Sequence, residues 1–522
     1  MSYKVCIPTA GTGSRLGDLT RYLNKSLVSI ANRPTICHLI EQFPSDARFV
    51  IALGHKGNLV QEFLELAYPD RHFEFALVEP YEGEGSGLGL SLIACKQYLQ
   101  EPFVFISCDT LVDQPIPAPD RNWMGYSKTQ DLDPYRTIEV ASDKVVGICE
   151  KGEGKVISHK AYIGLSGILD YQAFWLQMEA GGSEVIQNGE AHGLRAILPK
   201  GVGAISFTWY DTGNVDALKK ARDTFREVDE PNILEKANEA IWFVGDQVIK
   251  YSDDQKFISN RVMRVNELGE FVPKITGSTD HMYRYSKVNG KVFSQVANPL
   301  LFQKLLSHAS HFWKLKSLNK KDHESFRHTC RRFYRDKTYD RVELFYKNFS
   351  QSDIEGKING VEMPPLKDLL DAIDWDWLAD GLPGRFHGDF HFENILWSSE
   401  VEKFTFLDWR QDFGGDLSVG DMYYDFAKLL HGLIVNHEII AHDSYEVKWL
   451  QKDITFDFHR KQSLVKCENY FISWLTQQGR DVKKTIILTA LIYLNIAALH
   501  HYPYSLLLYG LGKSMLFEEL SK

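Results

Sequence analysis

In the first hundred residues, short apolar runs alternate with stretches of helical spacing, and that alternation constrains the fold more than any other feature. Lys4–Ile7, Phe49–Leu53, Phe73–Val78 and Phe103–Ser107 are β-rich runs, some almost continuously apolar, as strands buried in a parallel sheet are. Pro34–Phe43, Asn58–Leu66 and Leu88–Leu99 carry the helical pattern between them. Strands that alternate with helices predict a Rossmann-like, doubly wound α/β domain.

The texture changes near Pro231. Ala240–Tyr251 and Met282–Phe293 read as antiparallel strands with turns at Gly245-Asp246 and Asn289-Gly290. Beyond about Pro299 the pattern is mostly helical and rich in Trp, Phe, Tyr and Leu. A chain of 522 residues is too long for one hydrophobic core. The expected domains are therefore residues 1–230 and 231–522, with no internal repeat.

Charge and cysteine usage narrow the functional classes. With 59 basic against 69 acidic residues, net charge −10, the chain lacks the basic surface of a bulk nucleic-acid binder; a local basic pocket for a nucleotide stays compatible. The seven cysteines show no CxxC and no zinc spacing, which fits reduced thiols and a cytoplasmic setting. The N-terminus lacks the pattern of a signal peptide, and the apolar run Thr485–Leu499 falls short of the roughly 20 residues a membrane span needs. A buried helix is expected there, with no membrane insertion. Small-molecule substrates are the expected partners, and an oligomer is compatible with the sequence.

Directly after the first strand comes Pro8-Thr-Ala-Gly-Thr-Gly-Ser-Arg-Leu-Gly17. Glycines let backbone approach a phosphate, and successive N–H groups make an anion cradle, so Ala10, Gly11, Gly13 and Ser14 are nucleotide-binding candidates. Arg15 adds a charge suited to triphosphate oxygens. Alone, such a loop is also compatible with a simple strand-to-helix turn. Thr20, Asn24-Lys25-Ser26-Leu27 and Arg33-Pro34 follow. This run resembles the signature of nucleotide-sugar pyrophosphorylases and related cytidylyltransferases, with Asn24 standing where that family usually has proline.

The resemblance implies that a phosphate monoester attacks the α-phosphorus of an NTP. Cations and Mg²⁺ then hold two anions together, and Arg15 and Lys25 are the catalytic cations implied. Asp109, after the strand Phe103–Cys108, and Asp211, in Trp209-Tyr-Asp-Thr-Gly213, are the implied metal ligands. Taken singly, either aspartate is also compatible with a cap or turn. Gly85, Ser86 and Gly87, in Glu82-Gly-Glu-Gly-Ser-Gly87, are expected over the nucleobase. Lys151, in Glu150-Lys151-Gly152, is implied to contact the acceptor phosphate.

The most specific string is His387-Gly-Asp-Phe-His-Phe-Glu-Asn394, followed by Phe404-Thr-Phe-Leu407 and Asp408-Trp409. It resembles the aminoglycoside phosphotransferase and choline kinase family, which implies an α+β, protein-kinase-like fold of two lobes, about 231–298 and 299–522. Asp389 accepts the proton of an attacking hydroxyl, Asn394 and Asp408 are oxygen ligands for Mg²⁺, and His387 braces the loop. Lys250, on a strand after a turn, is the implied phosphate contact, and Glu267 in the helical stretch Ser259–Leu268 is its implied partner. The turn Phe243–Gln247 lacks a full glycine-rich motif.

The two resemblances together imply a bifunctional enzyme. ATP phosphorylates a small hydroxyl compound (a choline-like alcohol, an alditol or a sugar), and a second NTP, with CTP slightly favoured, activates the product for a bacterial surface polysaccharide. A sugar-1-phosphate nucleotidyltransferase joined to an anomeric sugar kinase is the alternative. The missing proline and the incomplete glycine loop also leave room for one domain being a binding pseudoenzyme.

Overall fold

A computed structural model describes residues 3–129, 131–154, 159–226, 236–436, 439–440 and 442–522, and in it the four N-terminal apolar runs become neighbouring parallel strands. These are β1 (Lys4–Pro8), β2 (Arg48–Leu53), β3 (His72–Leu77) and β4 (Phe103–Ile106). β1 pairs in parallel with β2 and β4, and β2 with β3. The sheet continues through β5 (Trp123–Ser127), β6 (Thr137–Ala141), β7 (Lys144–Cys149), β8 (His159–Ile168) and β9 (Gly203–Ser206), in the order β3-β2-β1-β4-β8-β5-β9-β7-β6. β8 runs antiparallel to β4, so the parallel block ends there and the sheet is mixed.

Because successive side chains on a strand point to opposite faces, one sequence feeds two cores. Val5, Ile7, Phe49 and Ile51 face one layer with α1 (Thr35–Ile40) and α2 (Gly57–Ala67), to which Val60, Phe63 and Leu64 contribute at helical spacing. Cys6, Val50, Ala52, Phe103 and Phe105 face the other layer with Leu92 and Cys95 of α3 (Leu88–Cys95). Helices therefore cover both faces, as the alternating pattern predicts.

The chain divides into two compact units, Met1–Ile258 with Thr276–Lys287, and Ser259–Ile275 with Val288–Lys522. The boundary expected near residue 230 lies outside the described residues. Beyond it come β10 (Glu239–Val244), β11 (Gln247–Ser252), β12 (Ile275–Ser278) and β13 (Met282–Ser286), in the order β10-β11-β13-β12. Gly245-Asp246 makes the expected turn, with Gly245 at φ 58°. Trp242, Val244, Ile249, Tyr251 and Met282 are buried in the same core as Val5 and Ile7. The Trp242 ring meets Phe63 edge-on at 5.2 Å and its Nε1 donates to Ser29 Oγ at 3.0 Å. This small sheet thus shares the hydrophobic core of the first unit.

The expected hairpin across Asn289-Gly290 does not form. Met282–Ser286 pairs with β11, whereas Lys291–Val292 pairs with Ile395–Ser398 of the second unit. At Gly290 a Cβ would lie 2.8 Å from the Trp397 carbonyl oxygen, so the glycine serves a close strand approach rather than a chain reversal.

The second unit is mostly helical, as expected. Its main helices include Pro299–Phe312, α4 (Lys337–Phe349), α5 (Met422–Ile434) and α6 (Val482–Ala497). A hairpin of Ile395–Ser398 and Lys403–Phe406 flanks the phosphotransferase string, and a four-stranded sheet joins Gly356–Ile358, Val361–Met363, Tyr445–Leu450 and Asp453–Phe458. That second sheet was not expected. The apolar run near residue 490 is a helix buried on nearly every side, and among the described residues no helix is long and apolar enough to cross a membrane.

Trp242→Ala removes a large buried ring and should cost about 3–5 kcal/mol. Amide exchange in β1 and β2 of the full-length chain should then accelerate. Unchanged exchange there would separate the small sheet from that core.

Candidate active sites

In the N-terminal unit the glycine loop follows β1. Gly13 sits at φ 67°, and a Cβ on it would lie 2.9 Å from Lys25 Cβ and 3.0 Å from Thr20 Cγ2. Glycine is thus required both for the left-handed turn and for seating Lys25. Ala10 is buried, while Gly11, Ser14 and Arg15 are exposed on the loop. Gly85, at φ 84°, and Ser86, whose Oγ donates to Gly83 O at 2.7 Å, precede α3. Gly87 abuts Ile186: a Cβ there would come 2.4 Å from its carbonyl oxygen. Gly54 ties the two loops together, because its Cβ position lies 2.5 Å from Ala10 O and 2.7 Å from Tyr81 Cβ.

Asn24 explains its own departure from proline. Fully buried, its amide nitrogen donates to Thr9 O (2.9 Å) and His55 O (2.6 Å), and its oxygen accepts from Ser26 N at 2.9 Å. This Asx turn holds the peptide that carries Lys25. Lys25 Nζ lies 3.2 Å from Asp109 Oδ2, and Ser107 Oγ donates to Asp109 Oδ1 at 2.5 Å. Burial opposes the Asp109 carboxylate, but Lys25 and then Ser107 hold its pKa down to about 2. Burial likewise opposes the Lys25 ammonium, and Asp109 and Cys108 nonetheless raise its pKa above the ordinary value.

Asp109, Asp211 and Arg15 converge on Gly213. A Cβ there would lie 3.0 Å from Asp211 Oδ1, 3.1 Å from Asp109 Oδ2 and 3.3 Å from Arg15 Nη2. Burial first, and then the charge of Asp109, raise the pKa of Asp211, whose oxygens accept from Gly213 N (2.8 Å) and Tyr135 OH (3.2 Å). Two half-buried carboxylates that repel each other fit a divalent cation between them. Among the described residues no group of three or more His, Cys, Asp or Glu is arranged for a metal. A two-carboxylate site completed by phosphate oxygens is nevertheless how Mg²⁺ is commonly held. Lys151 is exposed on the turn after β7, beside Glu150, which Arg136 and Arg195 clasp. Among the described residues no contact joins Lys151 to the aspartate pair. Tyr135 and Ser107 were not singled out by the sequence, since both act through the folding of distant segments.

In the C-terminal unit the loop His387–Asn394 is shaped by Asp425 on α5. This fully buried carboxylate accepts from His387 N and Gly388 N, both at 2.7 Å, and from Trp313 Nε1 at 3.0 Å. His387 is itself fully buried; burial pushes its pKa down to about 3, so it stays neutral and braces the loop. Asp389 is held from three sides: Lys428 Nζ at 2.9 Å, His391 Nε2 at 3.4 Å and Asn394 Nδ2 at 3.1 Å. Burial opposes its charge, yet Lys428 and His391 keep its pKa well below the usual carboxylate range. Such a group orients a hydroxyl through its charge and takes the proton late.

Leu407 N donates to Asn394 O at 2.7 Å, which sets Asp408 beside the loop. Asp408 adopts φ 55°, a left-handed conformation rare outside glycine, and accepts from Arg261 Nη1 at 3.1 Å. Asn394 commits its amide nitrogen to Asp389, leaving its oxygen to join Asp408 as a hard ligand that fits Mg²⁺. Lys250 is buried on β11 of the first unit, and Glu267 makes an ion pair with Lys316, Nζ at 2.6 Å.

Asp389 and Asp408 line a cavity of about 210 Å³ together with Arg261, Lys337, Arg341, Arg410 and Lys428. Lys337 Nζ and the Arg410 guanidinium share the Phe333 ring, at 4.5 and 4.8 Å from its centroid. Burial, followed by the charges of Arg410, Lys428 and Arg341, lowers the pKa of Lys337 to about 7. None of these cations was singled out from the sequence. Lys428 lies in the conspicuous string Gly420–Leu430, three residues after Asp425, but spacing alone does not show that it reaches Asp389.

A mixed α/β unit with converging aspartates under a glycine loop, and a helical unit with a braced Asp–Asn–Asp set, have the layout of nucleotidyl- and phosphoryl-transfer proteins. Comparison with known proteins finds the following similarities. The model of the phosphotransferase enzyme family (APH) matches residues 338–453. The bifunctional protein GlmU of Methanococcus vannielii is 25% identical over 217 residues, covering 40% of this chain and 45% of that protein. The chain spans about half the length of the curated relatives it matches. Among solved structures, an apo UDP-glucose pyrophosphorylase is 18% identical at TM-score 0.38, covering 43% of this chain and 98% of that one. CTP:phosphocholine cytidylyltransferase from Streptococcus pneumoniae is 17% identical at TM-score 0.35, covering 43% and 100%. The C-terminal part thus carries an APH phosphotransferase domain, and the N-terminal part is similar to nucleotidyltransferases.

Asp425→Ala leaves three buried donors unpaired, at about 1–3 kcal/mol each. The unfolding midpoint of the second unit should fall, and tryptophan fluorescence in urea measures it. Gly213→Ala crowds Asp109, Asp211 and Arg15 at once. Metal-dependent pyrophosphate release should drop about a hundredfold with little change in the unfolding midpoint.

Proposed function

We propose that the chain is a bifunctional enzyme. Its C-terminal site transfers phosphate from ATP to a small hydroxyl compound, and its N-terminal site couples a phosphate product to a nucleotide with release of pyrophosphate. The observation that carries this reading is that each unit holds its own carboxylates against its own cations. Lys25 and Arg15 stand beside Asp109 and Asp211 in one, and Lys428 stands beside Asp389 in the other.

At the C-terminal site Asp389 orients the acceptor hydroxyl, fixed by Asn394 and Lys428 so that one carboxylate face meets the substrate. Asp408 and Asn394 would hold Mg²⁺, and Lys250 the ATP phosphates. In this reading residues 231–522 make up the phosphotransferase, the small sheet serves as its small lobe, and Glu267 supports that lobe. At the N-terminal site the backbone from Ala10 to Ser14 and the turn Gly85–Gly87 enclose the nucleotide, Arg15 and Lys25 bind its phosphates, and Lys151 meets the acceptor. Mg²⁺ bound at either site would screen the negative charge of the phosphates.

A cavity with five cations and two carboxylates repels a quaternary ammonium, which favours a sugar or alditol over a choline-like acceptor. CTP as the second nucleotide, a cytoplasmic location and a role in making a bacterial surface polysaccharide belong to the same proposal.

The two chemistries should separate by mutation in the full-length chain. Asp389→Asn should cut ATP-dependent phosphorylation about a thousandfold and spare nucleotidyl transfer, and Asp109→Ala should do the reverse. Phosphorus NMR with ATP and each NTP follows both reactions. Loss of both activities in either variant would contradict two independent sites.

A further inference from the structure

Three of the cavity's cations have no role in the chemistry described so far. Lys337 and Arg341 stand one turn apart on α4, and Arg410 meets Lys337 over the Phe333 ring. Among the described residues, none of the three has a carboxylate within ion-pair distance. Like charges gathered in this way cost stability unless an anion lies between them.

The nucleotide does not account for all of this charge. Magnesium on Asp408 and Asn394 would screen a triphosphate, and Arg261, bonded to Asp408 at 3.1 Å, belongs to that corner. Lys428 is committed to Asp389. The remaining wall belongs to the helical lobe, where α4 faces Asn495 and Ile496 of α6 across the same cavity. Asn495 gives its amide nitrogen to Thr338 Oγ1 at 3.1 Å, which ties α6 to α4 along this wall.

We propose that the compound phosphorylated here already carries an anionic group, a phosphomonoester or a carboxylate, seated on Lys337, Arg341 and Arg410 while a hydroxyl of the same molecule faces Asp389. This inference rests on the phosphotransferase reading of the site. The hydroxyl oxygen forms the new bond to the γ-phosphorus, the bond from that phosphorus to the bridging oxygen breaks, ADP leaves with the electron pair, and the hydroxyl proton passes to Asp389. A neutral polyol would leave the three cations uncompensated, and a cationic alcohol would add to their repulsion.

The test uses full-length protein, MgATP and matched acceptors: glycerol with glycerol 3-phosphate, glucose with glucose 6-phosphate and gluconate, and choline as the cation. ADP release should favour an anionic member over its neutral partner by about tenfold or more in kcat/KM. The phosphate and carboxylate arms tell the two anions apart. Arg341→Gln should raise the acceptor KM about tenfold and leave the KM for ATP unchanged, with Arg341→Lys recovering part of the loss. Preference for a neutral or cationic acceptor, or an Arg341→Gln effect confined to ATP, overturns the proposal. Calorimetry with the nucleotide site filled by a nonhydrolysable ATP analogue and Mg²⁺ separates binding from turnover. Saturable binding of the sugar phosphates or gluconate that Arg341→Gln weakens supports the anion seat even if no acceptor is phosphorylated, in which case only the phosphotransferase reading fails. Absence of saturable binding by every anionic probe overturns the seat itself.

Discussion

A lysine ammonium about 3 Å from a carboxylate stands at the centre of each unit, and the rest of each site is arranged around that pair. Lys25 meets Asp109 at 3.2 Å, and Lys428 meets Asp389 at 2.9 Å. Chemistry on phosphates demands it. Carboxylates have to stay ionised in partly buried surroundings if they are to hold a metal or orient a nucleophile, and burial alone would protonate them. The cation keeps each acid charged, and a neutral donor, Ser107 in one unit and Asn394 in the other, holds the carboxylate's other oxygen.

The supporting shell meets the same demand with backbone. Asp425 draws two peptide N–H groups and an indole onto one carboxylate, so the loop before Asp389 has little freedom to move. Asn24 does the corresponding work in front of Lys25, satisfying two distant carbonyls and its own turn. A buried polar group with every partner in place rigidifies its surroundings. Both residues are therefore positioning elements for the lysine or aspartate beside them.

The layers of the first sheet were legible because a period of two, repeated in consecutive strands, assigns alternate residues to opposite cores; Val5 and Cys6 fall on different faces as that pattern requires. The aspartates were legible because each ends a strand or sits in a compact string. The cations of the second cavity were not. Arg261, the pair Lys337 and Arg341, Arg410 and Lys428 come from four separated segments, and a lysine or arginine in a sequence reads as a solvated charge until folding gathers several around one space. The pairing of Lys291–Val292 with Ile395–Ser398 escaped for a related reason: Asn-Gly favours a tight turn locally, but the strand waiting a hundred residues on decides where the chain goes.

The position of Trp242 bears on where such a chain can be divided. Its indole fills the layer between the small sheet and α2, closing a core begun by β1 and β2. A gene cut where composition changes would leave one product with an open hydrophobic face and hand the plug for it to the other. Recombination that swaps the front half for a relative would have to carry the strands beyond the seam along with it.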